Sequence, residues 1–409
     1  MKKTKKILII AFLFCIYVYV LKISSIPNKV IIFKGQNFDI GKFFGISLDI
    51  GNNEISSILA STNLDDSIQP ESGNITAKVK LFDIFTVKNV DVSVLEKRKV
   101  IPVGQIAGLK LYTHGVLVVG LSEILSDNNE KTKPYENSGI QEGDIIIKID
   151  DKDVSDAENL IDVVNKSNGK KLKISYLRDS QELETEIKPV KTSKTGYKLG
   201  LWVRDSAAGI GTLTYYEPET GTFAALGHGI ADIDTGALID ISNGEFLTTK
   251  VLSIVKGIKG NPGRIQGSIE NQNVIGKIYK NSNLGIYGKI DNENALQIGS
   301  NEQLEIADRN EIELGKATIL CSLKGEIAQE YEIEIEKIFL QNNDDNKSML
   351  IKIKDERLIE ATGGIIQGMS GSPIIQNGKF IGAVTNVLVN EPESGYAVFG
   401  DLMVQESYR

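Results

Sequence analysis

From residue 195 to the C-terminus the chain breaks into short apolar runs separated by turn residues, and apolar stripes at helical spacing are scarce. The punctuation recurs at Glu219-Thr220-Gly221, Ser242-Asn243-Gly244 and Asn377-Gly378. Such residues reverse the backbone at little steric cost, so each marks the end of a strand. Many short strands over ~200 residues predict a barrel or a pair of barrels. One stretch is unusual even there: 363-GGIIQGMSGSPIIQNGKFIGAVTN-386. A Gly-x-Ser-Gly turn holds a serine Oγ clear of the backbone, but ordinary tight turns share that composition.

Upstream the pattern changes. Residues 101–190 include 135-YENSGIQEGDIIIKIDDKDVSDAENLIDVVN-165. Gly139 and Gly143 allow turns, and Ile145–Ile149 reads as a strand. Ser155 and Glu158 form an expected capping box, followed by a helical stripe of Ala157, Leu160, Ile161 and Val164. The Gly-Ile-x-x-Gly-Asp-x-Ile-x-x-Ile run resembles PDZ domains of the extracytoplasmic bacterial type. That resemblance implies an α+β unit with a peptide groove between the strand Gly108, Leu109, Lys110, Leu111 and a helix over 156–166. An extended peptide would pair with the open strand edge. His114, beside this unit, reads as a turn or surface residue.

Residues 28–100 alternate apolar and polar positions in short runs, which predicts a small β region next to the N-terminus. Residues 1–27 are of another kind: MKKTKK precedes the uncharged run Ile7–Leu21. A basic start and an apolar segment predict an export signal or a membrane anchor, with the bulk of the chain outside the cytoplasm. The net charge of −8 and the lack of a basic patch argue against nucleic acid as a partner. Two cysteines and two histidines make neither a disulfide framework nor a metal cluster, so no metal and no cofactor are expected.

The chemistry concentrates in 195–409. His228 is the sole histidine there, between Gly227 and Gly229 in ALGHGI. Ser370 follows it by 370 − 228 = 142 residues, in Gly368-Met369-Ser370-Gly371-Ser372-Pro373. This order and the Gly-x-Ser-Gly-x-Pro turn resemble trypsin-like double-barrel proteases, which implies a C-terminal double β-barrel. A serine needs a neutral imidazole to take its proton, and the developing oxyanion needs fixed donors. The backbone N–H groups of Gly368 and Ser370 are candidates. Ser372 is a rival nucleophile, set aside because Pro373 and the apolar strand behind it turn it inward. For the orienting acid, Asp355, Asp291 and Asp308 remain open, whereas Asp232 and Asp234 stand too near His228 in sequence. The glycine- and lysine-rich 256-KGIKGNPGRIQG-267 lacks a phosphate-loop motif and reads as a loop beside the site.

Three features together resemble the SpoIVB peptidase family of spore-forming bacteria: the N-terminal apolar segment, the PDZ unit with IPVGQIAGLKLYTHGVLVVG, and the ALGHGIADIDTG and TGGIIQGMSGSP motifs. The resemblance implies Ser370 and His228 as catalytic residues and places the acid at Asp355. It also implies a membrane-associated signalling peptidase in the space between forespore and mother-cell membranes. There it would cleave itself and a membrane-bound regulator of a membrane-embedded metalloprotease, leading to activation of a late mother-cell sigma factor. Two other readings differ in kind: a PDZ scaffold whose barrel only binds, and an HtrA-like quality-control protease. In the latter the PDZ unit follows the catalytic domain, whereas here it precedes it.

Overall fold

The computed structural model describes residues 13–408 apart from 15, 25, 27, 34–45, 50–72, 96–97, 180, 194–195, 299–301, 325–326 and 341–345. Residues 1–12, 15, 25 and 27 of the expected N-terminal anchor lie outside the described residues. Residues 16–24 are helical. Among the described residues no helix is long and apolar enough to cross a membrane. The β region that follows is a four-stranded sheet ordered Lys29–Phe33, Phe85–Leu95, Gly73–Leu81, Ile46–Asp49.

Two closed barrels form the body of the molecule. The second joins Gly315–Cys321, Gln329–Ile338, Met349–Ile353, Glu391–Phe399, Lys379–Leu388 and Pro373–Gln376. Three of its strands alternate: Ala317, Ile319 and Cys321, then Ile333 and Ile335, then Met349, Ile351 and Ile353 face a common core. Each fully buried aliphatic side chain contributes roughly 1.5–3 kcal/mol, so this inward row holds the barrel closed.

The first barrel joins Leu201–Glu217, Thr222–Ala225, Gly285–Ile290, Arg264–Ser282 and Ile241–Val255, and it closes through Lys99–Leu121. That closing strand precedes the PDZ unit in sequence. The expected boundaries, PDZ from 101 and peptidase from 195, therefore differ from the architecture: the PDZ unit is inserted between the first and second strands of a barrel. One strand serves both. Its residues 107–113 pair with Ile241–Thr248 on one side, while 101–112 pair with 206–216 on the other. Beyond Gly115, Val116 and Leu117 pair with Ile146 and Ile145 in the PDZ sheet. Gly115 makes the switch at φ +91, and a Cβ there would sit 2.2 Å from the Ile146 carbonyl oxygen. Period-2 alternation reveals a strand but not its neighbours, so the dual role was invisible in the sequence.

In the PDZ unit, the sheet Gln181–Ile187, Leu172–Arg178, Ile145–Ile149 packs on the helix Ala157–Lys166. The helix cap differs from expectation. Asp156 is the N-cap and accepts the Asn159 N–H at 2.7 Å, while the Ser155 hydroxyl braces that carboxylate at 2.6 Å. Leu160 and Val164 are buried, whereas Ile161 faces solvent. The Gly-Asp of the PDZ motif serves the fold, since Asp144 is fully buried and takes two hydrogen bonds from Arg178, each 2.7 Å.

Candidate active site

The Ser370 turn sits in the crevice between the barrels, and both barrels hold it. From the first barrel, Thr212 donates its N–H to the Ser370 carbonyl at 3.0 Å and its hydroxyl to the Gly368 carbonyl at 2.6 Å. From the second, the Val384 carbonyl accepts the Gly371 N–H at 2.7 Å. Of the stretch 256–267 expected as a loop beside the site, 264–267 instead begin the strand Arg264–Ser282, and its edge meets the serine turn: Gln367 N–H donates to Gly263, and Ile265 N–H to Gln367, at 2.9 and 2.8 Å. Gly368 turns at φ +104 and Gly371 at φ +96. Among the described residues, the N–H groups of Gly368 and Ser370 donate to no protein acceptor. Two unspent donors flanking a serine are what an oxyanion requires.

His228 arrives at the same crevice from the first barrel. The strand Thr222–Ala225 ends in Leu226 and Gly227, both with positive φ (69° and 70°). A Cβ on Gly371 would lie 2.5 Å from the Leu226 nitrogen, and one on Gly227 would lie 3.0 Å from Thr385. The serine turn and the histidine loop are thus in direct backbone contact. Leucine rarely adopts this conformation, and such outliers collect at functional sites. The His228 Nδ1 lies 2.8 Å from the Gly229 carbonyl. A carbonyl only accepts, so Nδ1 carries the proton and Nε2 keeps its lone pair. Burial pushes the imidazole pKa below its ordinary 6.5, which favours the neutral base. Asn281 fixes the loop, accepting the Ile230 N–H and donating to the Ile230 and Ile239 carbonyls.

The two side chains are not hydrogen-bonded to each other. The Ser370 hydroxyl donates to the Thr385 carbonyl at 2.7 Å instead. This is a resting arrangement, because a hydroxyl spent on a carbonyl has no base to receive its proton. Rotation about Cα–Cβ to another staggered rotamer breaks that bond and frees the Oγ. Beside the imidazole opens a cleft of about 370 Å³, walled by Leu238, Asn283, Asn346 and Asn386 among others.

Asp355 lies elsewhere. It caps the helix Glu356–Thr362 by accepting the Arg357 N–H at 3.0 Å, and it pairs with the Arg357 guanidinium at 2.7 Å. That guanidinium, followed in effect by backbone donors, holds its pKa down at about 2. The histidine loop packs near the Ser348–Met349 end of the strand Met349–Ile353, through Gly227 against Val398. Asp355 follows the opposite end, about 13 Å along the strand. No carboxylate is among the hydrogen-bond partners of His228 within the described residues. Of the other candidates, Asp308 caps Arg309–Glu311 and Asp291 is exposed, while Asp232 is buried against Arg204. We expect Asp355→Ala to cost about 1 kcal/mol through the lost cap and Asp355→Asn much less, checked by urea denaturation. Because the Asp355 pKa is depressed, its stabilisation is present above the unfolded value of 3.8 and is lost as pH falls through about 2.

Other sequence candidates are placed as follows. Ser372 is fully buried, next to Cys321, whose thiol burial pushes up to about 12. His114 is exposed at the bulge before Gly115. Among the described residues no cluster of His, Cys, Asp or Glu could hold a metal ion. The groove strand needs correction: Gly108, Leu109, Lys110 and Leu111 have no open edge. They pair with Ile210, Gly209, Ala208 and Ala207 on one side and with Leu247, Phe246, Glu245 and Gly244 on the other. The reason is the shared strand, whose 107–113 half belongs to the barrel wall. Sequence reasoning also missed Thr212 and Asn281, polar strand residues that no local motif marks.

Comparison with known proteins found two family matches. The family described as SpoIVB peptidase S55 matches residues 195–404, just over half of the chain. The PDZ domain family matches residues 113–188. Among solved structures, the PDZ domain of an SdrC-like protein from Listeria monocytogenes is 22% identical, covering 22% of this chain and 87% of its own, at TM-score 0.18. The Rv3671c protease from M. tuberculosis, active form, is 15% identical, covering 62% and 86%, at TM-score 0.28. An HtrA-type protease, AlgW with decapeptide, is 12% identical, covering 75% and 64%, at TM-score 0.30.

Proposed function

The chain belongs to the SpoIVB peptidase S55 family and is a PDZ-containing serine peptidase; on that premise we propose that Ser370 and His228 carry its reaction. Ser370 Oγ attacks the substrate carbonyl while His228 Nε2 takes the hydroxyl proton, then returns it to the leaving amine. The free N–H groups of Gly368 and Ser370 receive the oxyanion. The Gly229 carbonyl fixes the imidazole tautomer, a role that a carboxylate fills in a triad. Asp355, the acid given by the family resemblance, acts at a distance by capping the helix that leads through Gly363 and Gly364 into the serine turn.

One observation carries this reading: a neutral, correctly protonated imidazole stands beside a serine turn with two unspent amide donors. The amide side chains of Asn283, Asn346 and Asn386 give an extended substrate backbone donors and acceptors in the cleft.

In its biological setting we assign the peptidase to sporulation signalling outside the cytoplasm, tethered or exported by its N-terminal segment. Its substrates are then itself and the membrane-bound regulator of an intramembrane metalloprotease, with a late mother-cell sigma factor activated downstream. The test is labelling with a fluorophosphonate probe. The wild-type chain is expected to be labelled on Ser370 and Ser370→Ala to be blank. Equal labelling of the two would overturn the assignment. Co-expression with the metalloprotease regulator, followed by mass spectrometry of its fragments, tests the signalling role.

A further inference from the structure

The PDZ sheet has one edge that faces its helix, and the chain's own linker fills it. Residues 201–204 run antiparallel to 117–121, with Leu201 opposite Leu121 and Arg204 opposite Leu117. The Ser122 N–H extends the ladder to the Gly200 carbonyl at 2.9 Å. The same segment runs the length of the helix Ala157–Lys166. Near its C-terminal end, Tyr197 N–H donates to Asn165 Oδ1 at 2.9 Å; at its N-terminal end, the Asp205 carboxylate accepts the Ala157 N–H at 2.9 Å. Leu199, Leu201 and Val203 alternate into the PDZ core, while Trp202 between them is 62% exposed. Backbone pairing along a sheet edge, with every second side chain entering an apolar groove, is how strand addition captures a peptide.

We propose that Leu199–Asp205 is a resident ligand of the PDZ groove, and that an extended peptide segment with the same alternation of apolar residues binds by displacing it. Displacement reaches the catalytic crevice along two connections, a consequence that rests on the function proposed above. Arg204 pairs with Asp232 and Asp234 in the histidine loop. The same strand continues to Thr212, which holds Gly368 and Ser370. Groove occupancy and catalytic geometry therefore share one strand.

The experiment uses the full chain carrying Ser370→Ala, so that its outcome does not depend on catalysis, and a fluorescent synthetic peptide KLGLWVRDS copying residues 198–206. A tethered ligand competes at high effective concentration, so the peptide is expected to bind at least about tenfold more tightly when L201D/V203D empties the groove. Equal binding to both chains would overturn the proposal. Hydrogen exchange without those substitutions guards against a misfolded variant. At saturating peptide, amides of 201–204 are expected to exchange faster, those of 117–121 to stay protected, and those of 227–232 to change. Unchanged exchange at 201–204 would refute displacement, and unchanged exchange at 227–232 would refute its transmission to the histidine loop.

Discussion

His228→Ala is expected to lower peptide hydrolysis and fluorophosphonate labelling at Ser370 by about 10⁴-fold while leaving the chain folded. The size follows from what the imidazole supplies. Serine at its own pKa is a poor nucleophile, and within the described crevice only the His228 ring offers a neutral nitrogen lone pair close by. Residual rate would come from the Gly368 and Ser370 amides, which the substitution leaves in place. The side chain is held by one hydrogen bond to its neighbour's carbonyl, so the fold loses little. Full activity of the variant, measured as kcat/KM on a cleaved peptide, would exclude the mechanism.

The pH dependence has a definite sign. Burial lowers the His228 pKa below 6.5, so the acid limb of the rate profile is expected below pH 6.5. Stability shares that limb. Between the ordinary value and the lowered one, the unfolded chain binds a proton that the folded chain does not. His228 therefore favours unfolding progressively as the pH drops through that window, and His228→Ala removes that part of the slope.

Gly371→Ala is expected to cost about 4 kcal/mol and to abolish activity. Gly371 stands at φ +96, and an added Cβ would meet the Thr212 carbonyl oxygen at 2.2 Å and the Leu226 nitrogen at 2.5 Å. Both are backbone atoms, which a rotamer change cannot move. Relief would have to part the serine turn from the histidine strand, and that contact is the site itself. Gly378→Ala is the matched control: φ is +73 and nothing lies within 4 Å of the new carbon. It is expected to cost only about 1 kcal/mol of left-handed strain and no activity. Thermal denaturation and labelling of the two variants separate conformational strain from the collision. Equal behaviour would show that the close approach is not what the site depends on.

The tight turn at Ser370, the glycine-flanked loop at His228 and the PDZ unit were legible because their signals are local. A Gly-x-Ser-Gly turn, a histidine between glycines and a Gly-Asp run each spell a backbone shape within a few residues. The groove was misplaced for the opposite reason. Gly108–Leu111 alternates as an edge strand would, yet partners 96 to 102 and 133 to 139 residues downstream cover its two sides. Asp355 was set above the other candidate acids only by the family resemblance, and in the fold Arg357, two residues away, has the stronger claim on its charge.

The chain's own letters determined that it is a β protein with a serine and a histidine poised by glycines, because turn chemistry and alternation act within a few residues. Only the folded molecule decided that one strand closes a barrel and also enters the PDZ sheet, that the linker occupies the groove, and that a backbone carbonyl orients the imidazole. Those outcomes depend on which backbone donors and acceptors meet across long sequence separations, and a hydrogen-bonding backbone is nearly the same at every residue.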